Sequence, residues 1–578
     1  MVGTIEFEDY SGIFNVKDYG AVGDGVTDDT AAIQAAFDAG NLVYLCPNAV
    51  YKITSPITKP SECVVIGNNA TILTDGDFDM VGSIDIAIPL DVDGDSVTSI
   101  DTVNTSNLSA SVGDSNTYVT RIGVADASLY ARGDIVKVYS QDQIPQSGSS
   151  NDEYLGEFAE VIEVDNSSDY IYLGSVLYYT SSYSTSVKIS KFSKEAVKIE
   201  NLNFEKSASQ PSTANTRGIV IRNAVSPIVN NIIFTDCDDD GVSYYGCYGA
   251  STYNVKGVGL KTASANSATG YLVFDVSSSY GVHTNLRGNG VRNVYNSDTK
   301  TIGTLASMPA TFFGESVGNI ISNSSGITFG LHAGTRNITF ENIHTETSWR
   351  TPDSGSVRGF TNRGVNNRLV NSTIKAGSVK CYNEAGATVG ASLEIINSSI
   401  DSSPLISQDL TLRTYALKVE GESGVPAKVT IRGGYIRGIY STAIDLDYAE
   451  FESYNAHLHY ARNVSSGSSS NMFTIDNSSA KNYHPIYDTT DHLGTASLRL
   501  FDINDANSSF ESYWGTWIGA DGGTASAVDA GTLSNEDATA RVMFLRTDAT
   551  IDNGVIFAGG GATIEEQYFA PNTVISTV

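Results

Sequence analysis

Between Leu42 and Leu73 the apolar positions come in short runs. These are Leu42-Val43-Tyr44-Leu45, Val50-Tyr51-Lys52-Ile53, Val64-Val65-Ile66 and Thr71-Ile72-Leu73, separated by turn residues at about ten-residue spacing. Runs this short, bounded by Pro, Asn, Gly and Ser, predict strands. One helical pattern stands in front of them. Ile33, Ala36 and Phe37 share a helical face, Asp28 and Asp29 suit a helix start, and Gly40 follows the last apolar position. Before the helix, Phe14-Asn15-Val16 predicts a short strand, and Gly20, Gly23 and Gly25 a connecting loop.

Residues 88–195 change character. Val136-Lys137-Val138-Tyr139, Ala159-Glu160-Val161-Ile162-Glu163-Val164 and Tyr170-Ile171-Tyr172-Leu173 alternate between apolar and polar, which predicts an inserted antiparallel module. From 196 to about 480 a degenerate repeat takes over. Asn201-Leu202-Asn203-Phe204, Asn231-Ile232-Ile233-Phe234 and Asn337-Ile338-Thr339-Phe340 share one shape, and Asn371-Ser372-Thr373-Ile374 and Asn397-Ser398-Ser399-Ile400 are looser copies. Gly218, Gly241 and Gly270 open apolar runs at gaps of 23 to 29 residues, the length of one coil of a parallel β-solenoid. Asn suits the corners because it tolerates left-handed backbone. After about 485 the pattern is lost, and Trp514, Trp517, Leu545 and Phe557 sit among Gly, Ala and Thr.

The expected fold is all-β: a right-handed parallel β-helix with an N-terminal helix cap, an inserted antiparallel β module and a C-terminal β domain. The expected division is a short anchor at 1–13, cap and first coils at 14–87, the inserted module at 88–195, catalytic coils at 196–484 and a C-terminal module at 485–578. That last module is assigned to trimerisation or carbohydrate binding.

The chain has 578 residues and a formal net charge of −30, with 17% charged residues and 54 Gly. So acidic a chain is an unlikely partner for nucleic acid or an anionic membrane. No run of about 18 apolar residues predicts a membrane span. Five Cys at irregular spacing fit neither a disulfide framework nor a zinc site, and read as free thiols, most of them buried, in a protein made in a reducing cytoplasm. Met1 to Gly12 is acidic and lacks the pattern of a signal peptide, so export is expected through lysis or as part of a particle.

The stretch from Phe14 through Asp18-Tyr19-Gly20-Ala21-Val22-Gly23-Asp24-Gly25 to Ala36 closely resembles the opening of the pectate-lyase-like β-helix superfamily, where it forms the N-terminal cap. Arg132-Gly133-Asp134-Ile135-Val136-Lys137-Val138 with Gly156-Glu157-Phe158-Ala159-Glu160-Val161 is similar to an insertion of bacteriophage tailspikes. Gly330-Leu331-His332-Ala333-Gly334 resembles a tailspike coil with an Asp-x-His-Gly core, with Gly330 in the Asp position. Gly359-Phe360-Thr361-Asn362-Arg363-Gly364 resembles the Arg-Gly coil that follows it, and Gly290-Val291-Arg292-Asn293 a degraded Arg-His coil. The resemblance spans roughly residues 14 to 440. It implies a homotrimeric phage tailspike depolymerase, made in the bacterial host cytoplasm and carried on the virion tail. Attachment would run through another tail protein at the short N-terminus, and the target is a bacterial capsular or other surface polysaccharide.

Glycosidic hydrolysis needs one carboxyl as acid and another as base or nucleophile. Asp236, Asp238, Asp239 and Asp240 crowd four carboxyls into five positions, which splits their pKa values. Strand alternation would put Asp236, Asp238 and Asp240 on one face. The plainer alternative is a coil turn with solvated acids. His332 is a candidate base or sugar-orienting group. Glu315, Glu341, Glu346 and Asp353 are further candidate acids. Arg336, Arg350, Arg358, Arg363 and Arg368 fall within 33 residues of a chain with only 35 Lys and Arg. With Arg292, they are candidates for gripping acidic sugars bidentately, or else balance an acidic surface. Trp349, Tyr244, Tyr245 and Tyr248 are candidates for stacking on sugar rings. No metal site and no cofactor are expected.

The expected activity is endo-cleavage by hydrolysis. The alternatives are a polysaccharide lyase acting on a uronate, with His332 or a Tyr as base and Arg neutralising the carboxylate, and a glycan-binding spike without catalysis. A pectin-degrading enzyme is disfavoured by the tailspike-like insertion and the missing signal peptide.

Overall fold

A computed structural model describes residues 12–78, 81–104, 118–146, 153–210, 214, 216–260, 270–299, 314–346, 358–375, 377–402, 415–438, 442–460, 470–488, 498–503 and 507–514. Beyond these it describes short strands between 516 and 577. Backbone contacts divide the chain into two units, Met1–Ile144 with Glu153–Asn319 and Pro145–Asp152 with Ile320–Val578.

The first unit opens on the expected cap. Ile13–Asn15 is a strand, Val16–Tyr19 a 3-10 turn and Thr30–Ala39 the helix, with Ile33, Ala36 and Phe37 buried. Its start differs from expectation. Asp29 makes no capping bond to the helix. Its carboxylate turns back and accepts from the Val22 and Gly23 N–H groups at 2.6 and 3.0 Å, pinning the glycine loop. Asp28 takes the Thr30 N–H at 3.0 Å. Gly40 ends the helix with an extended backbone, φ −173°, and what it supplies is space: a Cβ there would lie 1.8 Å from the Phe14 ring.

Behind the cap the strands stack in parallel. Leu42–Tyr44 pairs with Cys63–Thr74, which pairs with Val197–Lys206, then Ile228–Thr235, then Ser251–Val258. Equivalent inward residues fall in columns: Val65, Ile199 and Val229, or Ile72, Phe204 and Phe234. The Phe204 and Phe234 rings stack at 5.1 Å. Such columns bury like against like and form a continuous core.

The insertion interrupts this ladder without breaking it. Gly82–Ala87 pairs directly with Arg217–Arg222, so consecutive coils meet across the excursion. The excursion is a seven-stranded antiparallel sheet running from Leu90–Ser96 to Lys188–Phe192. Ile122, Val136, Val161, Ile171 and Ile189 fill its core. Ile135, Phe158 and Phe192 pack towards the coil residues Val225 and Tyr248, and the Lys137 ammonium donates to the Ser277 carbonyl at 3.0 Å.

The second unit repeats the coil scheme. One ladder runs through Thr339–Glu341, Asn367–Val370, Ser392–Ile396, Ala427–Arg432, Ala449–Tyr454, Ser479–Tyr483 and Ser509–Tyr513. Another runs through Arg358–Asn362, Ser378–Tyr382, Leu417–Glu420, Thr442–Asp447, Ser470–Asp476 and Leu498–Ile503. Here the C-terminal expectation fails. The strands after 485 are no separate module but continue the same parallel ladders. Thr516–Ile518 pairs with Ile486–Asp488, Arg541–Leu545 with Ser509–Tyr513, and Ile575–Thr577 with Val555–Ala558. What ends near 485 is the Asn-led motif, not the inward stacking, for Phe501 and Phe510 stay fully buried at 4.9 Å centroid distance.

All five Cys are free thiols, four of them buried. Among the described residues no helix is long and apolar enough to cross a membrane.

Asp29→Ala leaves the half-exposed Val22 and Gly23 N–H groups without their acceptor, at the ordinary net cost of a lost hydrogen bond, about 1 kcal/mol each. A lower thermal midpoint by circular dichroism is the expected outcome; an unchanged melt would show that the loop holds without the carboxylate.

Candidate functional site

The four crowded aspartates do not lie on a strand. The strand ends at Thr235 and the next begins at Val242, so 236–240 forms the turn between them and the expected alternation does not apply. Asp236 is exposed in left-handed backbone, φ 51°. Asp238 is buried against the Lys206 ammonium at 2.5 Å and the Gln210 amide at 2.9 Å. Asp239 and Asp240 have no solvent exposure, nor has Arg217, whose Nε lies 3.4 Å from a carboxylate oxygen of each. The Asp240 Oδ1 accepts from the Gly270 and Tyr271 N–H groups at 3.0 and 2.9 Å. The Tyr245 hydroxyl meets the same guanidinium.

One buried guanidinium faces both carboxylates, and burial makes each of these charges costly. The structure resolves this at Asp240. Its pKa is raised to about 7 by burial and by the neighbouring Asp239 charge, against the pull of Arg217. Burial also pushes the Tyr245 phenol up to about 12. This is chemistry sealed from solvent, holding a turn.

The paired tyrosines face opposite ways and are both fully buried, so neither ring is open to a sugar. Tyr244 points into the coil and shares 2.9 Å with the Thr252 hydroxyl. Thr252 continues to His283 Nδ1, and His283 Nε2 to Asp275, each at 2.9 Å. Tyr295 and Asn319 donate to the same Asp275 oxygen at 2.7 and 2.9 Å. Tyr248 is half-buried beneath Phe158 and Tyr280.

Of the arginines, Arg292 is exposed with its guanidinium 5.5 Å from the Tyr271 ring centre. Arg336 is buried. Arg363 pairs with Glu384 and lies 4.9 Å over the Tyr382 ring. Arg368 pairs with Glu394 at 3.1 Å in the other ladder. Arg363 follows the end of the strand Arg358–Asn362, whereas Arg368 lies on Asn367–Val370 of the other ladder. His332 is half-buried and its carbonyl accepts from the Thr335 hydroxyl at 2.8 Å. Glu315 is buried and takes the Tyr179 hydroxyl at 2.9 Å, and Glu341 is half-buried in its strand. Trp349, Arg350, Asp353 and the side chains of Arg358 and Glu346 lie outside the described residues.

Sequence reading missed two constellations in the second unit, the first half-exposed and the second built around the buried His459. The first lies on the ladder from Ser378–Tyr382 to Ser470–Asp476. Its register aligns Lys380, Lys418, Asp445 and Thr474 in one outward column and Tyr382, Glu420, Asp447 and Asp476 in the next. Glu420 lies 2.7 Å from the Lys380 ammonium and 3.8 Å from that of Lys418, and Asp445 lies 3.5 Å from Lys418. Lys380 sits 4.0 Å over the Tyr382 ring. The Asp445 carboxyl is held above the usual range, first by burial and then by Asp476 and Asp447, with Lys418 opposing. The signal was in the chain: Lys380-Cys381-Tyr382, Lys418-Val419-Glu420, Asp445-Leu446-Asp447 and Thr474-Ile475-Asp476 each flank one inward apolar residue with two outward polar ones.

The second constellation spans the strands Ser399–Asp401, Tyr435–Gly438, His457–Tyr460 and Ile486–Asp488. The Tyr435 hydroxyl meets His459 Nδ1, His457 Nε2 lies 2.9 Å from Asp488, and Arg437 aligns with His459 across the ladder. Among the described residues, no three His, Cys, Asp or Glu converge as a metal site.

The class these elements define is the parallel β-helix with an inserted β module, presenting acids, cations and rings on its outer sheets. Comparison with known proteins agrees. Residues 13–88 match the family described as rhamnogalacturonase A/epimerase, pectate lyase-like. Over 68 residues the chain is 47% identical to mannuronan C5-epimerase AlgE5 of Azotobacter vinelandii, covering 11% of this chain and 7% of that protein. Alginate lyase 7 of the same organism is 44% identical over 68 residues, covering 11% and 8%. The chain thus spans under a tenth of the length of these relatives. Among solved structures, the tailspike protein gp49 from Pseudomonas phage LKA1 is similar over 95% of this chain and 84% of its own, at 16% identity and TM-score 0.58. The Gp54 tailspike of Acinetobacter baumannii bacteriophage AP22, solved with A. baumannii capsular saccharide, is similar over 97% and 79%, at 13% identity and TM-score 0.54. At these identities the likeness establishes the fold.

The raised Asp240 has a consequence for stability. Unfolded, an Asp carboxyl titrates at about 4; folded, Asp240 does so at about 7. The folded state holds the extra proton, so this contribution is full below pH about 4 and is lost as pH rises to about 7. Asp240→Asn keeps an acceptor for Gly270 and Tyr271 and removes the titration. Melting temperatures measured from pH about 5 to about 8 should fall less in this variant than in the wild type; parallel curves would exclude the protonated acid.

Proposed function

We propose that this chain is a tailspike-type depolymerase that endo-cleaves an acidic bacterial capsular or surface polysaccharide by glycosidic hydrolysis. The observation that carries the reading is the half-exposed face around Asp445. It combines the Asp445 carboxyl, whose pKa is raised from its ordinary value by burial and by Asp476 and Asp447, with the carboxylates Glu420 and Asp447, the cations Lys380 and Lys418, and the Tyr382 ring. Asp445 is the proton donor to the leaving oxygen, Glu420 or Asp447 activates water, and the lysines hold the sugar carboxylates. The earlier candidates Asp239 and Asp240 are set aside because substrate cannot reach a carboxyl with no exposed surface.

Support also comes from the relatives, whose names mark them as proteins acting on rhamnogalacturonan, mannuronan or alginate, and from the tailspike solved with capsular saccharide. The same reading makes the protein a homotrimer on a phage tail, joined to another tail protein and acting at the bacterial surface.

A second reading, elimination on a uronate, is favoured by one observation. Tyr435 and His459 touch beside Arg437, which supplies a base and a carboxylate-neutralising cation in one place. The product decides between the two, because only elimination leaves an unsaturated uronate absorbing in the ultraviolet.

Asp445→Asn and Glu420→Gln should each lower kcat about 10²- to 10⁴-fold, the usual weight of a general acid or base, with capsule binding retained. Capsule viscosity and new reducing ends are the measurements. Full activity in both variants, or an ultraviolet-absorbing product, would overturn the hydrolytic assignment.

A further inference from the structure

Along one ladder of the second unit, the last two corners carry residue types that the corners before them do not. The N–H of each corner residue bonds the carbonyl before the next corner: Asn342 to Val370, Asn371 to Ile396, Asn397 to Arg432, Gly433 to Tyr454, Asn455 to Tyr483 and His484 to Tyr513. These corners are therefore equivalent, and each takes left-handed backbone. Asn and Gly fill all of them until the last two, where His484 and Trp514 stand at φ 50° and 53°. A bulky aromatic residue in this region is a true outlier, and strained positions gather where function requires them.

The rings are ordered. Trp514 stacks on His484 at 5.1 Å with 13° between planes. One residue earlier in each coil, Tyr454, Tyr483 and Tyr513 form a second column at 4.8 and 4.9 Å, within 7° of parallel. The Tyr513 ring also lies 6.1 Å from that of Trp514, and two hydroxyls of the column are fixed, Tyr454 on Glu452 at 2.9 Å and Tyr513 on Glu511 at 2.7 Å. Trp514 itself is 42% exposed, so packing does not explain why it replaces Asn. Polar groups flank the strip: Arg432 lies 4.7 Å over the Tyr454 ring, and the His457–Asp488 pair follows shortly after the Tyr454 and Tyr483 positions.

We propose that Trp514, backed by His484 and the Tyr454–Tyr483–Tyr513 column, is a sugar-stacking platform that seats a polysaccharide along the coil axis. Pyranose C–H faces lie on the indole, while Arg432, His457 and Asp488 meet the hydroxyl and carboxylate edges. The ring-to-ring step equals the step between neighbouring strands, so the strip runs in the direction a long chain would follow. This rests on the polysaccharide reading above and adds a binding site separate from the Asp445 face.

The test uses the full chain and purified capsular polysaccharide from a strain on which the wild-type protein binds. Trp514→Asn restores the residue this corner normally carries, and Trp514→Phe keeps a ring. Affinity electrophoresis in polysaccharide gels should show binding weakened about ten-fold by Asn and largely kept by Phe, while the Asn variant melts at or above the wild-type temperature. Unchanged binding in the Asn variant would overturn the proposal, as would a loss shared equally by Phe. Wild-type protein that binds capsule without lowering its viscosity would defeat the depolymerase reading and leave this platform standing.

Discussion

The parallel strands of this protein find their hydrogen-bond partners in the coils before and after them. That pairing fixes the register, and the register stacks inward side chains in columns such as Ile72, Phe204 and Phe234, or Leu393, Val429 and Phe451. The remaining features answer to it. A first coil has no predecessor, so the Thr30–Ala39 helix lays Ile33, Ala36 and Phe37 over the end. An insertion of about a hundred residues is tolerated because Ile86 still meets Ile221 on the next coil. Inward positions have little freedom, and chemistry is left to the outward ones.

What becomes of the outward positions differs between the units. In the first, Val220, Tyr245, Phe274 and Val276 form a buried cluster on the outer face, and the acids nearby are paired with Arg217, Arg222 or Lys206. In the second, the equivalent kind of face stays half-exposed and carries Lys380, Lys418, Glu420 and Asp445. The same residue types thus give a sealed ion cluster in one place and an accessible acid–cation surface in the other. Asp240 and Asp445 are both held above the ordinary carboxyl range by burial, yet only Asp445 keeps an open side.

Much of this was legible in the chain because it depends on local pattern. The cap, the antiparallel excursion and the coil repeat each follow from spacing that neighbouring residues impose on one another. Asn at the corners was legible too, since left-handed backbone strains most other residues. The C-terminal coils were not, because strand alternation without the Asn signature looks like any β segment. The assignment of Asp236, Asp238 and Asp240 to one strand face also failed, because acids before a glycine fit a turn as well as a strand.

The sequence by itself determined the kind of fold, through periodicity, and a supply of acids, cations and rings suited to sugars. Only the tertiary structure decided which of them share a face. Burial and register are set between coils some 20 to 30 residues apart, where the gaps from Gly218 to Gly241 and Gly270 show the period but not what covers each side. For that reason Asp239 and Asp240 are locked against Arg217, while Asp445 and Trp514, unremarkable or unassigned along the chain, are left half-exposed and exposed on outer surfaces.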